Sequence, residues 1–205
     1  MTYIRYIITT GLYKIQYMSR LFIKNMVCDR CILTVSNILM ANELHIKGIR
    51  LGEVDLEEDD HLIPKERLEW QLRDAGFELL YDKKEQLVAL TKAALIDILY
   101  ASEQEQQNFK LSVMLSDRLG LNYQQISKTF SEIHGETIEK YYMNLRIERV
   151  KELIRYGELN VSEIAWKLGY SSVQHLSTQF KSVTGNTISQ FKEAEDIQRQ
   201  NLDSI

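Results

Sequence analysis

The run Ser162-Glu163-Ile164-Ala165-Trp166-Lys167-Leu168-Gly169-Tyr170-Ser171-Ser172, continued by His175-Leu176-Ser177-Thr178-Gln179-Phe180-Lys181-Ser182-Val183-Thr184-Gly185, decides the fold of the second half of this chain. Apolar residues recur at helical spacing on both sides of Gly169, which can take positive φ, so the run reads as two short helices joined by a tight turn. Ala165, four positions before the glycine, is small enough to let the second helix approach closely, as a helix-turn-helix requires. Asn160 reads as the cap of the first helix, with Glu163 reaching back from its third position.

The same unit occurs about fifty residues earlier. Ser116-x-x-Leu119-Gly120 is followed by Ile126-Ser127-x-x-Phe130, Gly135-x-Thr137-Ile138 and Tyr141; the later copy has Ala165-x-x-Leu168-Gly169, Leu176-Ser177-x-x-Phe180, Gly185-x-Thr187-Ile188 and Phe191. Ser112 is the expected cap of the earlier copy. Between the copies, about Ile138 to Tyr156, one helical run has Leu145, Val150 and Leu153 as core candidates and carries Lys140, Arg146, Arg149, Lys151 and Arg155. Those cations have two readings: phosphate contacts, or pairing along the helix with Glu148 and Glu152.

Residues from about 84 to 193 resemble the DNA-binding domain of the AraC family of bacterial transcription regulators. The count from glycine to phenylalanine agrees: ten residues in the first copy and eleven in the second, the one-residue difference that the family shows. The resemblance implies double-stranded DNA as partner, RNA polymerase as a further one, and two recognition helices reading successive major grooves. In a helix-turn-helix the second helix enters the groove and the first braces it. The reading helices are expected at about Tyr123 to Glu132 and Ser172 to Lys181. With Ile126 and Phe130 inward on the first, Gln124, Gln125, Ser127 and Lys128 are the groove-facing candidates. With Leu176 and Phe180 inward on the second, Val173, Gln174, Ser177 and Thr178 are. Gln suits an adenine edge, Ser and Thr suit several edges, and Val can touch a thymine methyl.

Charge pulls the other way. The chain of 205 residues has a formal net charge of −4, and residues 84–193 hold thirteen Lys or Arg against thirteen Asp or Glu. A phosphate-binding domain is usually more basic, so affinity must come from how the cations cluster. No phosphate-binding glycine loop, nucleophile elbow or His-Glu-x-x-His helix is present, so no enzyme activity is expected.

The chain has room for two domains, and 44% hydrophobic residues suit packed cores rather than disorder. The longest apolar helical stretch, Leu87 to Tyr100, contains Lys92 and Asp97 and is too short to span a bilayer. It reads as the first helix of the DNA-binding domain. No signal-peptide pattern opens the chain, which points to the cytoplasm, where two cysteines argue against a structural disulfide.

Residues 1–18 read as an N-terminal extension and 194–205 as a C-terminal tail. Residues 19–83 alternate strand and helix: Leu21 and Ile23 in a strand, Cys31 to Met40 in a helix, Ile46 to Leu56 extended, Pro64 in the first turn of a helix running to about Ala75, and Phe77 to Tyr81 in a last strand. Gly76 ends the second helix, and Gly52 marks a bulge or turn. The segment from Ile46 to Asp60 is short for a two-strand hairpin.

The stretch Asn25-Met26-Val27-Cys28-Asp29-Arg30-Cys31 ahead of a helix resembles the Met-x-Cys-x-x-Cys loop of ferredoxin-like heavy-metal-associated domains. The fold expected is therefore an α+β N-terminal ferredoxin-like domain followed by an all-α double helix-turn-helix domain. That resemblance implies Cys28 and Cys31 as thiolate ligands for Cu(I) or another soft metal ion, and metal binding or sensing is the alternative function, with the helical half as adaptor. His45 and His61 are candidate extra ligands. The other reading makes the cysteines an inert loop on a packing or dimer module, and the oligomeric state stays open.

Overall fold

A computed structural model of the chain describes residues 19–100 and 110–193; the extension expected at 1–18 and the tail expected at 194–205 lie outside the described residues. The chain divides into two compact units between Ala93 and Ala94. No helix among the described residues is long and apolar enough to cross a membrane.

The amino-terminal unit runs β1 (Ser19–Lys24), α1 (Asp29–Ala41), β2 (Ile46–Arg50), β3 (Glu53–Leu56), α2 (Lys65–Asp74) and β4 (Glu78–Leu79). The four strands form one sheet in the order β2-β3-β1-β4, every neighbouring pair antiparallel. Period-two alternation in β1 buries Ser19, Leu21 and Ile23 and exposes Arg20 and Lys24. The buried row meets Val54 and Leu56 of β3, Val35 and Leu39 of α1, and Leu68 and Leu72 of α2 in a single apolar core. On the other row Arg20 bonds Asp55 at 2.6 Å and pairs with Glu53 at 3.1 Å.

Three expectations need correction here. Ile46 to Leu56 is not one extended segment: it folds back at Leu51-Gly52, where Gly52 takes φ +83°, and Arg50 pairs with Glu53 across the turn. Five and four residues suffice for a hairpin because both of its strands lean on the same core. Pro64 stands one place earlier than expected, at the N-cap of α2. The last strand is shorter than Phe77 to Tyr81, since only Ile23 and Lys24 of β1 lie opposite it.

Helix α3 (Lys83–Tyr100) starts where Asp82 accepts hydrogen bonds from the backbone N–H groups of Lys84 and Glu85, and it runs across the division between the units. The carboxy-terminal unit continues with α4 (Leu111–Leu119), α5 (Tyr123–His134), α6 (Ile138–Tyr156), α7 (Val161–Lys167), α8 (Val173–Thr184) and α9 (Ile188–Glu193). Its core gathers Leu115, Ile126, Phe130, Leu145, Val150, Ile164, Leu176 and Phe180, with α6 as the spine. Beyond the expected Leu145, Val150 and Leu153, α6 also buries Ile147, Ile154 and three charged residues, Glu148, Lys151 and Glu152. Ser112 does not cap α4. The helix begins at Leu111, after Lys110, which leaves Ser112 inside the first turn.

Candidate nucleic-acid interface

Each helix pair is held by the same turn. Gly120 ends α4 at φ +64° and Gly169 follows α7 at φ +67°, both in the left-handed region that a side chain disfavours. After α7 the N–H of Tyr170 donates to the carbonyl of Ala165 at 2.9 Å, which closes the turn. Asn160 and Glu163 form the reciprocal cap of α7, with Asn160 accepting from the N–H groups of Ser162 and Glu163, and Glu163 from that of Asn160. Asn122 caps α5 and Ser172 caps α8, so the second reading helix starts one residue later than expected, at Val173. Both reading helices run on past the expected ends to left-handed glycines, Gly135 and Gly185.

Their inner faces are tightly set. Ile126, Phe130, Leu176 and Phe180 have no solvent exposure. Phe130 packs edge-on against Tyr141 at 5.5 Å, and Phe180 packs edge-on against Phe191 at 5.4 Å, so each copy is locked to the next helix by the same aromatic pair. Gln124, Gln125 and Lys128 stand exposed on α5, with Ser127 half-buried between them; Val173, Gln174 and Thr178 stand exposed on α8, with Ser177 half-buried. Thr178 donates its hydroxyl to the carbonyl of Gln174 at 2.9 Å, so toward solvent it offers an acceptor lone pair and a methyl group. Lys128 lies 3.9 Å from Glu132.

An open groove of about 640 Å³ runs from Gln174, Ser177 and Thr178 to Lys181, Ser182, Thr187 and Ser189. The sequence reading missed the last four. Lys181 lies three and four residues beyond Thr178 and Ser177, so helical spacing already carried that signal. Thr187 and Ser189 join it only because α9 folds back beside α8.

The cations of α6 turn mainly to their own chain. Arg146 donates to the Leu168 carbonyl at 2.6 Å and stacks 3.8 Å over the Tyr170 ring. Arg149 pairs with Glu152 at 2.5 Å, Lys151 with Glu148 at 2.5 Å, and Lys140 lies 3.7 Å from Glu136. Burial pushes the Tyr170 phenol above its ordinary pKa, against the opposing pull of Arg146.

In the amino-terminal unit Cys28 is the N-cap of α1 and its sulfur lies 3.5 Å from that of Cys31. Burial works upward on Cys28, but the backbone N–H and thiol of Cys31 and the charge of Arg30 outweigh it and lower its pKa; burial raises that of Cys31. Neither histidine joins them. Among the described residues no group of three or more His, Cys, Asp or Glu is placed to hold a metal ion, and His45 is engaged by Glu58 at 2.7 Å.

The family model described as "Helix-turn-helix domain" matches residues 115–194. The matched residues lie in the carboxy-terminal unit, which therefore holds a helix-turn-helix domain. The chain is 28% identical, over 67 residues, to "HTH-type transcriptional activator RhaS" of Escherichia coli O1:K1 / APEC, an alignment that covers 33% of this chain and 24% of that protein. The chain thus spans about a quarter of the length of the curated relatives it matches. Among solved structures, the C-terminal domain of AraT, a response regulator from Geobacillus stearothermophilus, is 21% identical with a TM-score of 0.47, covering 58% of this chain and 94% of that one. The C-terminal domain of the two-component response regulator yesN from Fusobacterium nucleatum is 31% identical with a TM-score of 0.38, covering 44% of this chain and 89% of that one.

Proposed function

We propose that this protein is a sequence-specific transcription regulator that binds double-stranded DNA through the two reading helices α5 and α8. One observation carries the reading: each helix buries its central pair completely, Ile126 with Phe130 and Leu176 with Phe180, and presents amides and hydroxyls on the opposite side, in the same frame of the same repeated unit. The spacer suits two successive grooves. Helix α6 has 19 residues and therefore spans about 28 Å at roughly 1.5 Å per residue, against about 34 Å between neighbouring turns of a major groove. Gln124, Gln125, Ser127 and Lys128 would meet bases in one groove, and Val173, Gln174, Ser177 and Thr178 in the next. Because its hydroxyl proton is held by Gln174, Thr178 would accept from an exocyclic amine or touch a thymine methyl.

The test is selection from a pool of random duplexes with the full chain at low salt. Enrichment of one sequence family is expected; no enrichment would sink the proposal. Gln174→Ala and Thr178→Ala should then relax base preference at distinct positions, by about 1–3 kcal/mol for each well-made pairing with a base edge.

For the amino-terminal unit the strand order and the β-α-β-β-α-β chain order support a ferredoxin-like module, which would serve sensing or assembly. The 3.5 Å separation of the Cys28 and Cys31 sulfurs favours a second reading for that module, a soft-metal site such as one for Cu(I). Copper titration under reducing conditions decides it. Equal uptake by the parent and a Cys28→Ser, Cys31→Ser variant removes the site.

A further inference from the structure

The two helix-turn-helix copies match residue for residue from their reading helices onward, with a constant offset of fifty: Phe130 and Phe180, Gly135 and Gly185, Thr137 and Thr187, Ile138 and Ile188. Backbone geometry matches as well, since both helices have 12 residues and end at glycines with φ +84° and +78°. Side chains at equivalent positions can therefore be compared directly. Glu132, Glu136 and Glu139 of the first copy correspond to Ser182, Asn186 and Ser189 of the second, and Ser131 corresponds to Lys181. Each of these acidic positions, from the end of the first reading helix into the helix that follows, is a neutral hydroxyl or amide in the second copy.

Local pairing sharpens the contrast. Lys128 and Lys140 each have a carboxylate four residues away, at 3.9 Å and 3.7 Å, so the field of each is partly cancelled. Glu139 accepts a hydrogen bond from the Tyr123 phenol, which holds it ionised. Around Lys181 the helical neighbours are Ser177, Thr178, Thr184 and Gly185, none of them acidic, and the lysine lines the open groove beside the reading face.

The geometry points to a division of labour between the copies: the second anchors the duplex by seating a backbone phosphate in the groove of Lys181, Ser182, Thr187 and Ser189, whereas carboxylates at the matching places deny that seat to the first. Ser182 and Ser189 supply hydroxyl donors, the lysine supplies charge, and the residues lining the groove include no carboxylate. The first copy contributes base contacts with little hold on the backbone. A chain with no excess of cations over its DNA-binding half can still bind, because this cationic groove lies beside a reading helix. This inference rests on the duplex-binding reading above.

The test uses the full chain and its selected duplex, with affinity measured by fluorescence anisotropy over a salt series. Lys181→Gln should lower the slope of log K against log salt by about 0.9, weakening binding roughly eightfold near 0.1 M salt, with base preference unchanged. Moving the anchor into the first copy, by Ser131→Lys with Glu132→Ser, should steepen the slope by about the same amount and tighten binding severalfold. If Lys181→Gln leaves affinity and slope as they were, or shifts base preference instead, the anchor assignment fails. An unchanged affinity and slope in the Ser131→Lys, Glu132→Ser variant likewise overturns the inference. A parent protein that binds no duplex takes the functional reading down as well, whereas a parent that binds and a Lys181→Gln variant that matches it remove this inference alone.

Discussion

Arg146→Ala should damage the second helix-turn-helix from a distance. Arg146 belongs to α6, yet its guanidinium fastens both sides of the Gly169 turn, bonding the Leu168 carbonyl at 2.6 Å and covering the Tyr170 ring at 3.8 Å. A hydrogen bond from a charged donor contributes about 1.5–3 kcal/mol, and a partly desolvated cation over a ring about 0.5–2 kcal/mol. The sum needs a discount. Arg146 is only half-buried, and its Nε and the Tyr170 hydroxyl are buried without hydrogen-bond partners, a cost that truncation partly relieves. The net expected loss is about 2–3 kcal/mol in urea unfolding of the full chain followed by far-UV circular dichroism. Lys at this position keeps the charge but not the planar fork, so Arg146→Lys should recover less than half of the loss. Under conditions where the variant stays folded, binding to the selected duplex should still weaken, because the turn sets where α8 points. An Arg146→Ala chain that unfolds within about 0.5 kcal/mol of the parent and binds as well would refute this account of the clamp.

Three further outcomes are expected. Asn160→Ala removes two accepted hydrogen bonds at the start of α7 and should cost about 0.5–2 kcal/mol in the same unfolding assay; no change would mean that the cap is idle. Gly169→Ala has no atom within 4 Å of the added methyl group, so its cost should be the backbone strain alone, about 1–2 kcal/mol, and a larger loss would point to a clash that the fold does not contain. The His45–Glu58 pair makes the amino-terminal unit pH-sensitive in two directions. The hydrogen bond that its ring donates to Glu58 raises the His45 pKa above 6.5, so its contribution is full below that value and is lost as pH rises through the folded pKa. Burial works upward on Glu58, but the hydrogen bonds from the His45 ring and backbone prevail and leave it below 4.5, so its contribution is present above 4.5 and is lost as pH falls through the folded pKa. The pair is therefore strongest between those two folded values. NMR titration of the His45 ring should move down toward 6.5 in Glu58→Gln, and an unmoved midpoint would rule the coupling out.

What could be read without coordinates was local. Gly120 and Gly169 announced their turns, Asn160 with Glu163 announced a helix start, and the spacing of Ile126 with Phe130 and Leu176 with Phe180 oriented both reading helices. Ser112 misled because it is a good capping residue that stands too late in the chain, and Lys110 takes the cap place with no side-chain bond. The hairpin at Leu51-Gly52 was missed because two strands of five and four residues have little periodicity of their own; β1 holds β3 in register, and β3 in turn pairs with β2.

The order of amino acids by itself determined the repeated unit, its turns and the outward strips of amides and hydroxyls, since helical period and glycine chemistry act over a few residues. Only the tertiary structure decided where the charges go. Arg146 reaches a carbonyl 22 residues away, Lys151 disappears beside Glu148, and α9 brings Thr187 and Ser189 to the flank of Lys181. Electrostatic energy depends on distance through space, and chain position does not report that distance until the helices are packed.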